Sequence, residues 1–391
     1  MRSNIVATYL TLLGAAHGLL AGASTLHYDC HPFVIPIPVT NIPIFVLPFP
    51  APQDQLQATS ILNAATARTQ PPQSAPHLLN LTATYNISGE YCWPTNIAPV
   101  STSPTLQILS HGLGFNRSYW DFRLLTNVSD PQYSYISSAT SLGHHTISYN
   151  RLGIAGSTLA DPSTEVQTAV ELAILTALTI IARAGGIPSQ PAVPSNVIHV
   201  GHSFGSILTV ALAATSPVLS DGIVLTGFSG LFAYQSNFLI STNLLIANHA
   251  DPARFPATQY RNSYVTWPSA ASNQYAFFAY PAFDPAVLTQ AEATKQPFAL
   301  GEIFSGPLIP SVAPAFKGPV LYIDGEKDLI FCASNCTGLI EPGSDAFKAF
   351  NGSSDVSSII VQGFGHGMNL HYDAAGKVYA RINGWLKGHG F

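Results

Sequence analysis

The alternation of apolar and polar positions predicts strands and helices that follow one another along most of the chain. Apolar runs typical of buried strands occur at 81–87, 106–109 and 145–149, and a helical periodicity occupies 164–184. Further strand and helix units are predicted for 196–217, 222–228, 319–323 and 358–387. This order predicts an α/β fold, with a mainly parallel sheet covered by helices on both faces. Ligands of such folds bind at the carboxyl ends of strands.

The chain before residue 80 contains an apolar segment that is not predicted to cross a membrane as a helix. Residues 33–50 contain five prolines, which break helices because proline lacks a backbone N–H. We expect this segment to be extended and packed as a strap across the domain, which is favoured over contact with lipid. Residues 51–78 have a helix-capable middle and a proline-rich exit. Residues 24–79 are therefore assigned to an N-terminal extension.

A long insertion is predicted between the strand at 222–228 and the strand at 319. A structureless loop of this length is improbable inside a compact domain, so residues 230–310 are predicted to form a helical cap over the site. Residues 80–229 and 311–391 then form the α/β core. The cap is rich in aromatic residues and poor in charges. Most of these aromatic side chains are expected to pack the cap on the core, and a minority to line an apolar pocket.

A nucleophile elbow is predicted where the apolar run Val197–Val200 meets the pentad Gly201–Gly205, Gly-His-Ser-Phe-Gly, and a helix-compatible stretch. This pattern predicts a strand, a sharp turn and a helix, with Ser203 at the apex. A serine on such a turn has a strained backbone, so glycines two residues away relieve crowding. The N–H of Phe204 then points toward an oxyanion formed above the serine. The pentad alone is a weak signal, with an ordinary strand-to-helix turn as the alternative.

A serine nucleophile needs a carboxylate and a histidine, and in this architecture both follow the serine in that order. The predicted strand at 319–323 is followed by three acidic residues. Asp328 is favoured as the orienting acid because a turn after the strand projects it over the sheet edge. Asp324, at the end of the strand, is the alternative and otherwise caps the turn. Glu326 is the third candidate.

The histidine of the triad is predicted to be His366. It follows the predicted strand at 358–362 and stands in a glycine-flanked loop, from which its ring can reach the site. His371 is expected to begin the final helix as a surface or packing residue. His199 and His202, beside the elbow, are expected to be packed rather than catalytic.

An oxyanion hole also needs a second N–H donor from a loop after an earlier central strand. The strand predicted at Thr105–Ser110 is followed by His-Gly-Leu-Gly, which places Leu113 as this donor. His111 is expected to brace the loop by hydrogen bonds rather than to bind a metal or act as a base.

These motifs resemble those of the α/β-hydrolase superfamily. The matching residues, which together span 80–391, are His111-Gly112 with Trp120 downstream, Tyr149–Ser157, Gly201–Gly205, Gly325–Asp328 and Gly363–His366. The resemblance implies a hydrolase with a Ser203, Asp328, His366 triad.

Two differences from related sequences limit what the resemblance implies. Asn150 and Ala155 replace an aspartate and a glycine of the family's Asp-x-x-Gly-x-Gly-x-Ser turn, which loosens the subfamily assignment. Epoxide hydrolases and haloalkane dehalogenases of the superfamily use an aspartate nucleophile where this chain has Ser203, so their chemistry is not expected.

Composition excludes some other functions. The chain of 391 residues is 47% hydrophobic, which supports a sizeable core. Only 9% of residues are charged, and 15 basic against 20 acidic residues give a net charge of −5. Without a basic run, nucleic-acid binding is not expected. The oligomeric state does not follow from the sequence.

The first residues predict a signal peptide. Arg2 precedes the apolar run 5–20 and the small residues 21–23, so cleavage is predicted after Ala23, with residues 1–23 removed. An uncleaved anchor is the alternative because the run approaches spanning length, but polar residues such as His17 weaken it. We expect a secreted protein that has no membrane-spanning segment after cleavage.

Six glycosylation sequons support the secretory pathway, since Asn-x-Ser/Thr is a useful acceptor there on an exposed surface. They are Asn80, Asn86, Asn116, Asn127, Asn335 and Asn351.

Four cysteines form an even set, which in an oxidising compartment favours disulfides over a zinc site. Three connectivities are open. Cys332 and Cys336 are close enough in sequence to bridge locally, which would leave Cys30 to pair with Cys92.

Together these features predict a secreted serine hydrolase in which Ser203 attacks an ester carbonyl and water resolves the acyl-enzyme. No cofactor or metal is expected, and the expected partner is a small apolar ester. Lactone, thioester, amide and C–C bond hydrolysis use the same groups. A biosynthetic enzyme of secondary metabolism and a non-catalytic binding protein on the same fold are the alternatives. The intact set of Ser203, Asp328 and His366 argues against the binding protein.

Overall fold

An eight-stranded sheet runs through the part of the chain that the computed structural model describes, residues 27–67, 77–95 and 103–391. The predicted signal peptide and its cleavage site lie outside the described residues. The strands are β1 Tyr28–Phe45, β2 Leu78–Pro94, β3 Thr105–Ser110, β4 His145–Tyr149, β5 Asn196–His202, β6 Gly222–Thr226, β7 Leu245–Ile246, β8 Tyr264–Thr266, β9 Phe298–Ala299, β10 Val320–Gly325 and β11 Val356–Val361.

The main sheet has the strand order β1-β2-β4-β3-β5-β6-β10-β11. The six strands from β4 to β11 pair in parallel, whereas β2 runs antiparallel to both of its neighbours. Because the carboxyl ends of parallel strands meet at one edge, the loops after β3, β5, β6, β10 and β11 lie together there.

Helices cover both faces of this sheet, and others lie in the insertion described below. The α-helices of the described residues are α1 Gln55–Ala65, α2 Tyr135–Ser141, α3 Thr168–Arg183, α4 Phe204–Thr215, α5 Gln235–Thr242, α6 Ala247–Ala250, α7 Ala270–Phe277, α8 Pro285–Thr294, α9 Leu300–Ser305, α10 Leu329–Cys332, α11 Asp345–Lys348 and α12 Ala380–Gly388. Helix α3 packs on β1 and α4, and α2 packs on β2, β4 and α12. Every residue of β3, β4, β6 and β10 is buried, as expected for strands covered on both sides. The predicted fold class is confirmed.

Helix α3 begins four residues later than its periodicity predicts. The carboxylate of Asp161 accepts the N–H groups of Ser163 and Thr164 at 2.9 and 3.0 Å, which organises a turn there. The helix therefore begins at Thr168, after this turn.

The N-terminal extension is part of the main sheet. Residues 33–45 were predicted to be extended, and they lie in β1, the edge strand paired with β2, rather than in a strap across the domain. An edge strand tolerates proline because alternate backbone N–H groups face away from the sheet. The extension then continues into α1.

The insertion between β6 and β10 contains helices α5–α9 and also a small antiparallel sheet, β7-β8-β9. These strands have two or three residues each, too few to produce a period-two pattern. The sequence therefore predicted the helical character of the cap but not its sheet.

Candidate active site

Ser203 lies on a sharp turn between β5 and α4. Its backbone angles, φ 55° and ψ −117°, fall in a region that costs a non-glycine residue about 1–3 kcal/mol. A Cβ atom at Gly201 would lie 2.5 Å from the backbone nitrogen of Ser206. One at Gly205 would lie 2.0 Å from the carbonyl oxygen of Ser110. The strand, turn and helix form as the sequence predicts, and both glycines are sterically required.

Asp328 and His366 form a buried, hydrogen-bonded pair. Asp328 follows β10, and its Oδ1 accepts the N–H groups of Ile330 at 2.7 Å and Phe331 at 3.0 Å. Its Oδ2 lies 2.6 Å from Nδ1 of His366 in the loop after β11, and both side chains are fully buried. Two backbone donors thus fix the carboxylate, and the carboxylate favours the imidazole tautomer that carries its proton on Nδ1.

The imidazole of His366 is packed at the end of β6, next to the elbow. Ser203 donates its N–H to the carbonyl oxygen of Thr226 at 2.9 Å. The next residue, Gly227, has φ +57° and would place a Cβ atom 3.2 Å from Cε1 of His366. Nε2 of His366 has no hydrogen-bond partner within the described parts of the chain, so its lone pair is not engaged. Ser203, Asp328 and His366 are therefore gathered at one edge of the sheet.

The pKa values of two neighbouring carboxyl groups, Asp324 and Asp328, are shifted in opposite directions. Burial raises the pKa of Asp324 well above its usual range, and the charge of Asp328 raises it further. Burial also acts to raise the pKa of Asp328, but its interaction and hydrogen bond with His366 hold that pKa below its usual value. The two shifts run in opposite directions, so Asp328 is the carboxyl group favoured to be ionised beside His366. Glu326 instead accepts the N–H of Gly363 at 3.0 Å.

The loop after β3 passes directly beside Ser203. A Cβ atom at Gly112 would lie 2.9 Å from Cβ of Ser203, so glycine permits the approach. Nδ1 of His111 donates to the carbonyl oxygen of Gly112 at 2.9 Å, and its Nε2 accepts a backbone N–H from the turn after β4 at 3.2 Å. His111 therefore braces this loop, the role that the sequence predicts for it.

A buried ion cluster lies under this loop and was not predicted. Nη1 of Arg151 donates to both carboxylate oxygens of Glu171 at 2.7 Å and to Glu302 on cap helix α9. Nη2 reaches the carbonyl oxygen of Gly112 at 3.4 Å, and the guanidinium carbon lies 4.5 Å from the centre of the Phe204 ring. The cluster therefore joins the cap to both elements that carry the predicted oxyanion donors.

We expect Arg151→Met to destabilise the fold by about 3–5 kcal/mol, because two buried carboxylates lose their cation. Burial already raises the pKa of Glu171 and Glu302 above their usual values. In the variant, the folded state should therefore hold protons that the unfolded chain releases at neutral pH. The loss of stability should then grow as the pH rises from about 5 to about 8, which urea unfolding across that range measures.

Arg261→Met is the matched control. Its guanidinium is 73% exposed where it contacts Asp161 at 2.6 Å, and exposed pairs contribute only about 0–1 kcal/mol. Equal losses of stability in the two variants would contradict a structural role for the buried cluster.

His371 is a packing residue, one of the two roles predicted for it, but it does not begin the final helix. That helix begins with a π-helical segment at Ala375 and continues as α12, whereas His371 lies before it and is fully buried. Its Nε2 lies 3.0 Å from the N–H groups of Gly365 and Ala279, and its Nδ1 lies 2.9 Å from the carbonyl oxygen of Gly367. Burial lowers the pKa of His371 to about 4, so the ring is neutral and Nε2 accepts. His371 thus ties the His366 loop to the cap.

Ser203 opens into a cavity of about 890 Å³, near the upper end of the range of about 300–1,000 Å³ for small-molecule sites. Leu113 and Phe204, the predicted oxyanion donors, lie in the lining beside it. Phe238 and Phe277 also line the cavity, whereas Trp267 and most other aromatic residues of the cap are packed elsewhere. The expectation that a minority of cap aromatics faces the pocket agrees with this arrangement.

Both disulfides pair as expected. Cys30 and Cys92 occupy directly paired positions of β1 and β2. Cys332 and Cys336 bridge the end of α10, just beyond Asp328.

The sequons differ in exposure. Five of their asparagines are exposed, Asn80, Asn86, Asn127, Asn335 and Asn351. Asn116 is half-buried, and its side-chain oxygen accepts the N–H of Ser118 at 2.9 Å. Glycosylation stays a prediction at all six.

A comparison with models of protein families shows to which family the chain belongs. A model of the alpha/beta hydrolase family matches residues 107–381. The chain belongs to the α/β-hydrolase family. As a family member it is a hydrolase. A search of curated protein sequences finds no match.

Solved structures show the same fold. An esterase from Thermogutta terrifontis is 14% identical over 78% of this α/β-hydrolase and 95% of its own chain, with a TM-score of 0.52. An esterase from Exiguobacterium antarcticum is also 14% identical, over 78% and 96%, with a TM-score of 0.51. A bromoperoxidase from Bacillus anthracis is 14% identical over 78% of this chain and 96% of its own chain, with a TM-score of 0.50. Across the described segments of the chain, no helix has the length and hydrophobicity that a membrane crossing requires.

Proposed function

We propose that this α/β-hydrolase is a secreted serine hydrolase that cleaves carboxylic esters of apolar substrates through an acyl-enzyme on Ser203. The observation that carries the proposal is the buried Asp328–His366 pair, with 2.6 Å between Oδ2 and Nδ1. This pair lies beside a serine on a strained strand-to-helix turn. The same serine opens into a largely apolar cavity.

In the proposed reaction, Nε2 of His366 takes the proton of the Ser203 hydroxyl as Oγ attacks the ester carbonyl carbon. Asp328 stabilises the imidazolium that forms. The N–H groups of Leu113 and Phe204 stabilise the oxyanion of the tetrahedral intermediate. His366 then gives its proton to the leaving alcohol, and a water molecule, deprotonated by the same Nε2, hydrolyses the acyl-enzyme.

Secretion is supported by two kinds of observation besides the leader. Two disulfides favour an oxidising compartment. Five of the six sequons are exposed, as glycan acceptors must be.

Esters with acyl chains of about four to ten carbons should be hydrolysed with higher kcat/KM than acetate esters, because each buried methylene contributes about 0.8 kcal/mol. Anionic esters should be poor substrates, since the lining of the cavity has no lysine or arginine side chain among the described residues. A p-nitrophenyl ester series from acetate to decanoate measures the profile. The activity should appear in the culture medium of a eukaryotic host that expresses the full chain.

A monotonic decline from acetate would contradict the apolar pocket. Activity that stays inside the host cells would contradict secretion but not ester hydrolysis. Failure to hydrolyse any ester in the series would contradict the proposed function itself.

A further inference from the structure

Part of the cavity wall comes from outside the region that matches the family. The match begins at residue 107, but the cavity is also lined by residues 45–49, by α1 and by His77. From α1 the lining residues are Ser60, Ile61, Ala64 and Ala65. The N-terminal extension therefore adds a wall that lies outside the matched region.

Exposure shows where the cavity opens. The lining residues next to the elbow, among them Ser203, Phe204 and Phe331, are buried. The exposed members of the lining are Pro48, Ser60, Ala64, His77 and Leu308. Four of these five belong to the N-terminal extension, so the route from solvent to the nucleophile passes along it.

This wall is held firmly in place. The side-chain amide of Gln55 spans the end of cap strand β7, accepting the N–H of Ile246 at 2.9 Å and donating to the carbonyl oxygen of Leu244 at 3.1 Å. At the other end, the side-chain amide of Gln167 pairs with the N–H and carbonyl of Phe45 at 2.7 and 2.6 Å. The extension is thus fixed to the cap at α1 and to the core at the end of β1.

The chemistry of the wall is apolar. Phe45, Leu47, Phe49 and Ile61 line it from the extension, and the Phe49 ring packs edge-on against Phe304 of the cap, with 4.8 Å between ring centres. The acidic residue of the lining, Glu302, already binds Arg151 and accepts the N–H of Ala299 at 2.6 Å. Among the described residues of the lining, no other aspartate, glutamate, lysine or arginine is present to attract an ionic group, whereas a hydrocarbon chain would gain contacts along the whole route.

We propose that residues 45–65 form the outer wall of a substrate channel that holds the long, unbranched apolar chain of an ester while its carbonyl lies at Ser203. This inference rests on the proposed function. It makes Ile61 a residue that determines which chain lengths are accepted. The apolar chain of the substrate belongs either to the acyl part or to the alcohol part of the ester. The experiment below distinguishes these two possibilities.

The test compares Ile61→Trp, which fills the channel from α1, with Leu56→Trp, which adds the same bulk on the outer face of that helix. Leu56 is 82% exposed and does not line the cavity. Two substrate series are used, p-nitrophenyl esters from butyrate to decanoate and acetates of alcohols from butanol to decanol. Since each buried methylene is worth about fourfold in kcat/KM, exclusion of two methylenes should lower the ten-carbon to four-carbon ratio by at least about tenfold.

Ile61→Trp should lower this ratio in one series, which identifies the part of the ester that carries the chain, and Leu56→Trp should leave both ratios unchanged. Ratios that are unchanged in Ile61→Trp, or that fall equally in the two variants, would overturn the proposal. Ala65→Phe, from the same wall, replaces Ile61→Trp if that variant does not fold. A wild-type protein that hydrolyses no ester of either series would instead refute the proposed function.

Discussion

Ser203→Ala should lower kcat for the best ester substrate by about a million-fold, because a triad without its nucleophile leaves only binding and the oxyanion donors to act. The variant should fold, since alanine keeps the Cβ atom that the turn already accommodates. It should also lose labelling by a fluorophosphonate probe, which reacts with activated serines. Turnover and labelling are measured on the same preparations of wild type and variant.

Ser206→Ala is the control for this result. Ser206 lies three residues further along the same turn and helix, and its hydroxyl donates to the carbonyl oxygen of Thr226 at 3.0 Å. Its removal should cost less than about tenfold in kcat, since one neutral hydrogen bond contributes only about 0.5–1.5 kcal/mol. If Ser203→Ala keeps more than about a tenth of wild-type turnover, Ser203 is not the nucleophile.

Asp328→Asn should lower kcat by about ten-thousand-fold, because an amide no longer favours the imidazole tautomer that leaves Nε2 unprotonated. Asp324→Asn should have a far smaller effect. Burial and the adjacent Asp328 charge raise the pKa of Asp324, which favours the neutral form of a side chain that an asparagine also keeps neutral. Steady-state kinetics of both variants with one p-nitrophenyl ester give the comparison.

The ranking of these two variants distinguishes the two acids. A larger loss from Asp324→Asn than from Asp328→Asn would transfer the orienting role to Asp324. Equal, small losses would remove both residues from the mechanism. Circular dichroism of each variant separates a catalytic loss from a failure to fold.

The elbow could be predicted because its requirements are local. A tight turn with a strained serine needs glycines at fixed positions, and Gly201 and Gly205 meet this need within five residues of sequence. His366 was similarly marked by its glycine-flanked loop after a strand. The choice between Asp324 and Asp328 was harder, because it depends on which carboxyl group faces the imidazole. That distinction is set by the two backbone N–H groups that hold Asp328.

The Arg151 cluster could not be predicted because its members are distant in sequence. Glu302 belongs to the cap, whereas Arg151 lies in the turn Tyr149–Ser157 of the core. A weak signal was present, since charged residues are only 9% of the chain and each one in an apolar stretch needs a partner when buried. The partner itself depends on how the cap docks, which no local pattern encodes.

The structure of the N-terminal extension could also be predicted only in part. Its prolines predicted an extended conformation, and β1 is extended. Neither the pairing with β2 nor the position of α1 at the cavity followed from that, because both depend on contacts with residues far along the chain. Gln55, for example, binds backbone groups at Leu244 and Ile246.

The prolines of β1 also have a consequence for behaviour in concentrated solution. The four prolines of this strand, Pro32, Pro36, Pro38 and Pro43, are all exposed, and a bulge between Val39 and Ile42 keeps the last of them on the same face as the others. An open sheet edge recruits strands from other molecules through its unpaired N–H groups. Where those groups are replaced by pyrrolidine rings, a second molecule finds no ladder to extend, so this edge resists intermolecular strand pairing and the aggregation that follows from it.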